Sequence, residues 1–422
     1  MRLRLAALAA FMVLPVAYAQ TGTAPTSTLT LDDAIARVAT THPDLRIFEG
    51  RRQVLDANLA AASLKPGLSL GGTIENTMGT GNYRGFDETE LTVTLAGVFE
   101  RGGKLEARRT LALANIDTLA PQREVARLDL LAETARRYLA VTAATRRKGI
   151  ADLDITQRKR ALEAARVRLN AGASPESVVL TAQASLANAE LDRDRAIADE
   201  KATRQNLAAL WNDRSPGFTI AAGNPLVLPD LQSFEDLSAY LQNTPELAEL
   251  AGVERVREAQ LRLARTAATP DLNWQVGARN SRATNDTGFT AGFSIPLASA
   301  RRAAPGIRAA EAELAMTALE RESLQIDLYS TLTNAYGDYT TSQLEVSRLR
   351  TDVIPRLEKA EKAAEYAWKN GAISYLEWSQ LQAQRVEASV RQLQVAIDAQ
   401  SALIEIQRLT GQPIVASDSP TP

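Results

Sequence analysis

The 422-residue chain contains no cysteine. That excludes disulfides, thiolate metal ligands and a lipid-modified N-terminal cysteine. Histidine occurs once, as His42, and methionine four times, with Met1 and Met12 inside the first twelve residues. No soft-ligand cage for a transition metal can be assembled from that inventory. His42 precedes Pro43 near a helix start, where a structural role is expected rather than that of a ligand or base. Aromatic residues make up only 5% of a chain that is 45% hydrophobic. A composition led by Ala and Leu suits long helices with thin seams better than a thick globular core. Charge of one sign is also missing, with 48 basic against 50 acidic side chains. No basic patch therefore points to nucleic acid, and the charges read as solvated helix faces. After residue 19 there is no run of eighteen apolar residues, so a membrane-embedded part would have to be made of strands. The glycine turn "ERGGK" (100–104) lacks the P-loop pattern. No catalytic constellation is found, and neither a cofactor nor a bound metal is expected.

What is present begins with residues 1–19, "MRLRLAALAAFMVLPVAYA". Arg2 and Arg4, an apolar stretch over 5–16 and Ala17-Tyr18-Ala19 before Gln20 have the form of a secretory signal. Its removal leaves 46 basic against 50 acidic residues, a formal charge of −4. The expectation is an exported chain without a lipid anchor.

The remainder reads twice. "LTLDDAIARVATTHPDL" (29–45) matches "SFEDLSAYLQNTPEL" (233–247), and Pro66 matches Pro270. Asp129, Leu130 and Tyr138 pair with Asp327, Leu328 and Tyr336; Gly172-Ala173 pairs with Gly371-Ala372; "NLAALWN" (206–212) echoes "EIQRLTG" (405–411). The offset stays between 198 and 204, the mark of a duplication. The expected organisation is a first repeat over 20–214, a Pro- and Gly-rich linker over 215–230, a second repeat over 231–411 and a flexible tail over 412–422.

Each repeat has one order of parts: an opening helix (31–64, 233–268), two strands, a very long helical tract (103–170, 302–370) and a closing helix (175–212, 374–410). A tract of nearly seventy residues is roughly 100 Å long, matched by the opening and closing helices laid end to end. Leu128, Leu131, Ala135 and Tyr138, and likewise Leu324, Leu328, Leu332, Ala335 and Tyr339, step by three or four along a coiled-coil-like seam. Pro121 and Pro355 are expected to bend the tracts. The strands lie at 67–78, 90–99, 271–279 and 289–297, apolar on one face and polar on the other. Leu68, Leu70, Ile74 and Met78 share the apolar face of the first, and Trp274 and Val276 that of the third. Such alternation fits a half-buried antiparallel sheet as well as an outer-membrane barrel; the export signal and the duplication favour the barrel. Four strands cannot close, and open edges are not tolerated in lipid, so the chain is expected to oligomerise. Eight strands from two copies would be filled by their own side chains; a duct needs three copies or more.

The layout resembles the TolC-type outer-membrane efflux proteins over essentially the whole mature chain, most nearly their heavy-metal, CzcC-like branch. The phrases that carry the resemblance are "TLDDAIARVATTHPDLR", "ASLKPGLSLGG", "FDETELTVTLAGVFERGGKLEARR" and "LDLLAETARRYLAV". It implies an α+β fold and a homotrimer, with a twelve-stranded barrel in the outer membrane above a periplasmic helical tunnel. The implied partners are outer-membrane lipid, a periplasmic adaptor (membrane fusion) protein and an inner-membrane resistance-nodulation-division pump. The two glycine turns then become hairpin tips at the periplasmic mouth. Small Gly172, Ala173, Ser174, Gly371, Ala372 and Ser374 would let an adaptor hairpin approach, although any helical hairpin also benefits from Gly at its C-cap. The family's mouth acid maps to Glu377; three residues on, where a second acid can occur, stands Gln380, and the first repeat has Val178 with Glu176 nearby. Three copies of Glu377 would favour cations at a narrow aperture, while the plainer reading is a solvated helix carboxylate. The implied function is a passive exit duct for divalent heavy-metal cations. The same duct for drugs or secreted polypeptides, and a pore-free periplasmic coiled coil, are the other readings. The strand exits also differ, Pro296 in "SIPLAS" having no counterpart in "GVFERG".

Overall fold

The computed structural model describes residues 28–221 and 223–412. The signal segment and nearly all of the tail expected at 412–422 lie outside the described residues. The chain runs β1 (Thr28–Leu29), α1 (Leu31–Thr41), α2 (Pro43–Ala62), β2 (Ser69–Glu75), β3 (Glu90–Phe99), α3 (Lys104–Asp117), α4 (Leu119–Asn170) and α5 (Glu176–Ala208). After β4 (Thr219–Ile220) come α6 (Phe234–Tyr240), α7 (Pro245–Thr266), β5 (Leu272–Ser281), β6 (Asp286–Ser294), α8 (Ser299–Arg348), α9 (Ile354–Lys369) and α10 (Tyr375–Thr410).

The opening helices start on sequence-encoded caps. Thr30 accepts from Asp33 N at 3.1 Å while the Asp33 carboxylate accepts from Thr30 N, a capping box. His42 caps α2, its Nδ1 accepting from Asp44 N at 3.3 Å, and Pro43 fills the first helical position, where no N–H is needed. Thr244 and Pro245 do the same for α7.

The 52-residue α4 is about 78 Å long. α2 lies along α3, α1 along the start of α4 and α5 along the rest; in the second repeat α7 and α10 flank α8. Each long tract bends near its proline, in a different way. Pro121 has no N–H for the Asp117 carbonyl four residues back, and the helix breaks at Thr118 between α3 and α4. Before Pro355 the chain widens into one π-helical turn, Leu349–Val353. The two bends are not at matching places in the repeats. The exits from the sheet differ as well: Gly102 and Gly103 at φ +74° and +75° lead into α3, whereas Ala298 at φ +60° leads into α8.

Two buried clusters repeat each other at mid-length. In the first, Leu31, Ala34 and Val38 of α1 meet Ala135, Tyr138 and Val141 of α4 and Leu207 of α5. In the second, Leu237, Leu332, Ala335, Tyr339, Leu403 and Ile406 do the equivalent. The tyrosines correct the repeat register. Tyr138 donates its hydroxyl to the Leu29 carbonyl at 3.2 Å, and Tyr339, not Tyr336, donates to the Pro229 carbonyl. Burial and the neighbouring Asp230 carboxylate push the Tyr339 hydroxyl well above its ordinary pKa, so it stays a donor. Tyr336 instead presents its ring to Phe234, 5.5 Å away.

The linker is fastened at several points. β4 pairs in parallel with β1, Phe218 enters the first cluster, Arg146 donates to the Gly223 carbonyl at 2.7 Å and Gln400 to the Val227 carbonyl at 3.1 Å.

The four long strands form one antiparallel sheet in the order β2-β3-β5-β6. Leu70, Leu95, Val276 and Ala291 form one row of the apolar face, and Gly72, Val93, Ala278 and Phe289 the next. On the polar face Gly71, Thr94, Gly277 and Thr290 are in register, then Thr73, Thr92, Arg279 and Gly288. Met78 is not in the first strand, which stops at Glu75; Asn76 and Met78 adopt φ +56° and +54°, ending the pleat. The last strand sits three residues earlier than its alternation suggested, at Asp286–Ser294.

Candidate functional site: a bare sheet and two hairpin tips

The apolar face of the sheet is uncovered. Phe289 is 91% exposed, Phe293 80% and Leu70 76%. β2 and β6 each present an unpaired edge. Phe99 and Trp274 stack with centroids 5.7 Å apart at one end of the apolar face, where aromatic rings mark a lipid interface in membrane barrels. The ten residues of β3 extend about 30 Å, or about 22–25 Å along a barrel axis at the usual tilt. No helix among the described residues is long and apolar enough to cross a membrane.

At the other end of the molecule both long tracts finish in the same turn. Ala173 N donates to the Arg168 carbonyl and Gly172 N to the Leu169 carbonyl, each at 2.9 Å; Ala372 and Gly371 repeat this onto Ala367 and Trp368. These are Schellman caps, and they require the left-handed φ of +71° at Gly172 and +79° at Gly371. Gly172, Ala173, Gly371 and Ala372 are exposed, and Ser174 is half-buried.

The helices that follow begin differently. Ser374 caps α10: its hydroxyl accepts from Glu377 N at 3.3 Å, and the Glu377 carboxylate accepts from Ser374 N at 2.8 Å and Ser374 Oγ at 2.9 Å. In the first tip Pro175 stands at the cap with no side-chain acceptor, and Val178 occupies the place of Glu377. Glu377 is therefore an exposed carboxylate folded back onto its own helix start. The Ser374 backbone N–H first, then its hydroxyl, hold the Glu377 carboxyl below the usual carboxylate range. Because the folded value is the lower one, the stabilisation is complete above the unfolded pKa and is lost as pH falls through the folded pKa. Hydrogen exchange in the first turn of α10, referenced to Glu377→Gln, tests this. Wild type is expected to be the better protected near neutral pH, and the difference to vanish in acid below the depressed pKa. Equal protection at neutral pH would show that the charge of the Glu377 carboxylate contributes nothing, since glutamine can still accept from Ser374 N.

Side chains that sequence reasoning passed over join the tips. Arg168 donates Nη1 to the Trp368 and Lys369 carbonyls at 2.5 and 3.0 Å and Nη2 to the Ala173 carbonyl at 3.2 Å. Its guanidinium lies 5.3 Å from the Trp368 ring centroid. One arginine thus satisfies end carbonyls of the opposite hairpin, caps its own turn and makes a cation–π contact. Trp368 stacks on Trp378 at 4.8 Å, with Tyr375 edge-on to both rings. Ala161, Ala165, Val179 and Ala182 of the first hairpin close this third buried cluster. The available signal was that half of the chain's four tryptophans flank the second glycine turn. Further up, α4 is tied to α9 and α10 by arginines: Arg158, held by Asp154 on its own helix, donates to Gln382 at 3.4 Å, Arg385 reaches Glu361 and Gln157, and Arg147 donates to Gln394 at 2.8 Å. Among the described residues no group of three or more His, Asp or Glu is placed to hold a metal ion.

Long helical hairpins carrying a four-stranded sheet with bare faces define a TolC-like α+β channel fold. The outer membrane efflux protein family model matches residues 34–213 and again 237–412, and the chain belongs to that family. Over 318 residues it is 30% identical to the cobalt-zinc-cadmium resistance protein CzcC of Cupriavidus metallidurans, covering 74% of this chain and 75% of that one. With the nickel and cobalt resistance protein CnrC of the same organism it shares 25% identity over 274 residues, 64% of each chain. Among solved structures it superposes on CusC with a TM-score of 0.75 at 17% identity, covering 91% of this chain and 92% of that one. The Campylobacter jejuni CmeC outer membrane channel gives a TM-score of 0.72 at 15% identity, over 90% and 85% of the two chains.

Proposed function

We propose that the protein is the outer-membrane exit duct of a tripartite resistance-nodulation-division exporter, passing divalent heavy-metal cations from the periplasm to the outside. The observation that carries this reading is the sheet: apolar on a bare face, polar on the other, and open at both edges. Open edges are intolerable in lipid, and strands contributed by further copies satisfy them. Three copies give twelve strands around a lumen lined by Thr92, Thr94, Gln275 and Arg279, with the helices reaching into the periplasm. The membrane part carries no lipid anchor, since the chain has no cysteine. The tips at Gly172, Ala173, Ser174, Gly371, Ala372 and Ser374 receive the periplasmic adaptor, and Glu377 stands beside the aperture. The pump supplies the energy. The cargo assignment is supported by what the relatives' names say of them, resistance to cobalt, zinc, cadmium and nickel. With one histidine and no thiolate, cations would pass by weak electrostatic contacts rather than by capture.

The test is growth of a clean deletion strain, with and without the gene restored. The panel holds zinc, cobalt, cadmium, nickel, copper and silver salts beside hydrophobic drugs. Restorable sensitivity confined to one or two metals is expected; sensitivity to drugs alone would overturn the cargo assignment while leaving the duct.

A further inference from the structure

Arg279 is the one basic side chain on the polar face of the four-stranded sheet, in a row with Thr73 and Thr92. The next row toward the β5–β6 hairpin turn holds Glu75, Glu90, Ser281 and Asp286 in register across all four strands. Arg279 reaches into it. Its Nη1 lies 3.1 Å from Glu90 Oε2 and its Nη2 3.3 Å from Glu75 Oε2, while Nε donates to the buried Thr92 hydroxyl at 3.1 Å. The guanidinium is thus anchored by a hydroxyl and divided between two carboxylates that face each other across the β2–β3 pair. The duplication adds a second, independent observation. With the offset of 204 that relates Pro66 to Pro270, the counterpart of Arg279 is Glu75, the residue it pairs with. The matching positions of the two copies thus carry opposite charges and lie against each other.

We propose that Arg279 sets the ion preference of the exit, by keeping Glu75 and Glu90 from holding the divalent cations that pass them. This rests on the duct reading, in which the polar face lines the lumen. A conducting site must attract an ion and also release it. Two carboxylates opposite each other on adjacent strands form a hard-oxygen site of the kind divalent cations occupy. A guanidinium shared between them competes for the same oxygens. The pairs are half-exposed, so the competition is reversible and the row remains attractive to cations. Across these two rows each chain then offers three carboxylates and one guanidinium, with Arg84, Asp87, Glu88 and Arg282 in the connections beyond them.

The experiment is planar-bilayer recording of the purified full-length protein in potassium chloride gradients, with cobalt chloride added on the sheet side. For Arg279→Gln the reversal potential is expected to move toward that of potassium, and cobalt to block at a roughly fivefold to tenfold lower concentration. Arg279→Lys should keep wild-type behaviour, and adding Glu75→Gln and Glu90→Gln to Arg279→Gln should abolish the new block. Channels of Arg279→Gln with wild-type reversal potential and cobalt sensitivity would overturn the proposal alone. A wild-type protein that never conducts would overturn the duct reading and this proposal with it. Should Arg279→Gln fail to assemble, Glu75→Gln with Glu90→Gln decides. With Arg279 kept, that variant is expected to shift toward chloride, and an unchanged preference would overturn the proposal.

Discussion

Leu95→Arg is expected to remove the assembled oligomer from the outer membrane, while Thr94→Arg one residue away leaves it in place. Leu95 is mid-strand on the apolar face, in a row with Leu70, Val276 and Ala291. A charge there costs about 2–4 kcal/mol near the bilayer midplane, and a symmetric assembly incurs it in every copy. Thr94 points to the polar face, flanked in its row by Gly71 and Gly277, so a long side chain has room. The comparison separates the two meanings of alternation. A sheet whose two faces both meet water would tolerate arginine at either site. The measurement is the heat-modifiable oligomer band in detergent extracts of outer-membrane fractions. A Leu95→Arg band as strong as wild type would remove the sheet from the membrane.

Trp368→Ala is expected to loosen both tips and leave the middle of the molecule intact. Trp368 is 3% exposed, stacked on Trp378 and lying under the Arg168 guanidinium. Deleting a buried tryptophan costs about 3–5 kcal/mol through lost transfer energy and the cavity left behind. The loss also frees Arg168 from its platform and with it a tie between the hairpins. The tip cluster is separate from the two mid-length clusters, so the effect should be local. Hydrogen exchange read by mass spectrometry is expected to show protection lost over about 160–182 and 364–381, with residues around Tyr138 and Tyr339 unchanged. Trp368→Phe should retain most of the protection. Loss spread evenly along α4 and α8, or none at the tips, would contradict this account.

The sequence by itself determined what rests on local stereochemistry and on periodicity. Gly172 and Gly371 are legible because a Schellman turn needs a left-handed residue wherever it occurs. The strands are legible because a pleat with one apolar face must alternate, although alternation ran on to Met78 past a turn that Asn76 had already made. Pro121 and Pro355 were legible as bends, since a missing N–H acts within four residues, but not the break at Thr118 or the π turn that answered them. Only the tertiary structure decided matters that depend on partners distant along the chain. Two tyrosines stand near the expected offset from Tyr138, and the choice of Tyr339 over Tyr336 was made by a carbonyl 110 residues away. Arg168 reads as one more charge on a polar helix until folding brings Trp368 and Lys369 beneath it, 200 and 201 residues on. Glu377 is the local counter-case, because Ser374 stands at capping-box spacing three residues before it and claims its carboxylate without any distant partner. Local rules act through a few bonds; a lone side chain's role is set by whichever distant groups the fold places against it.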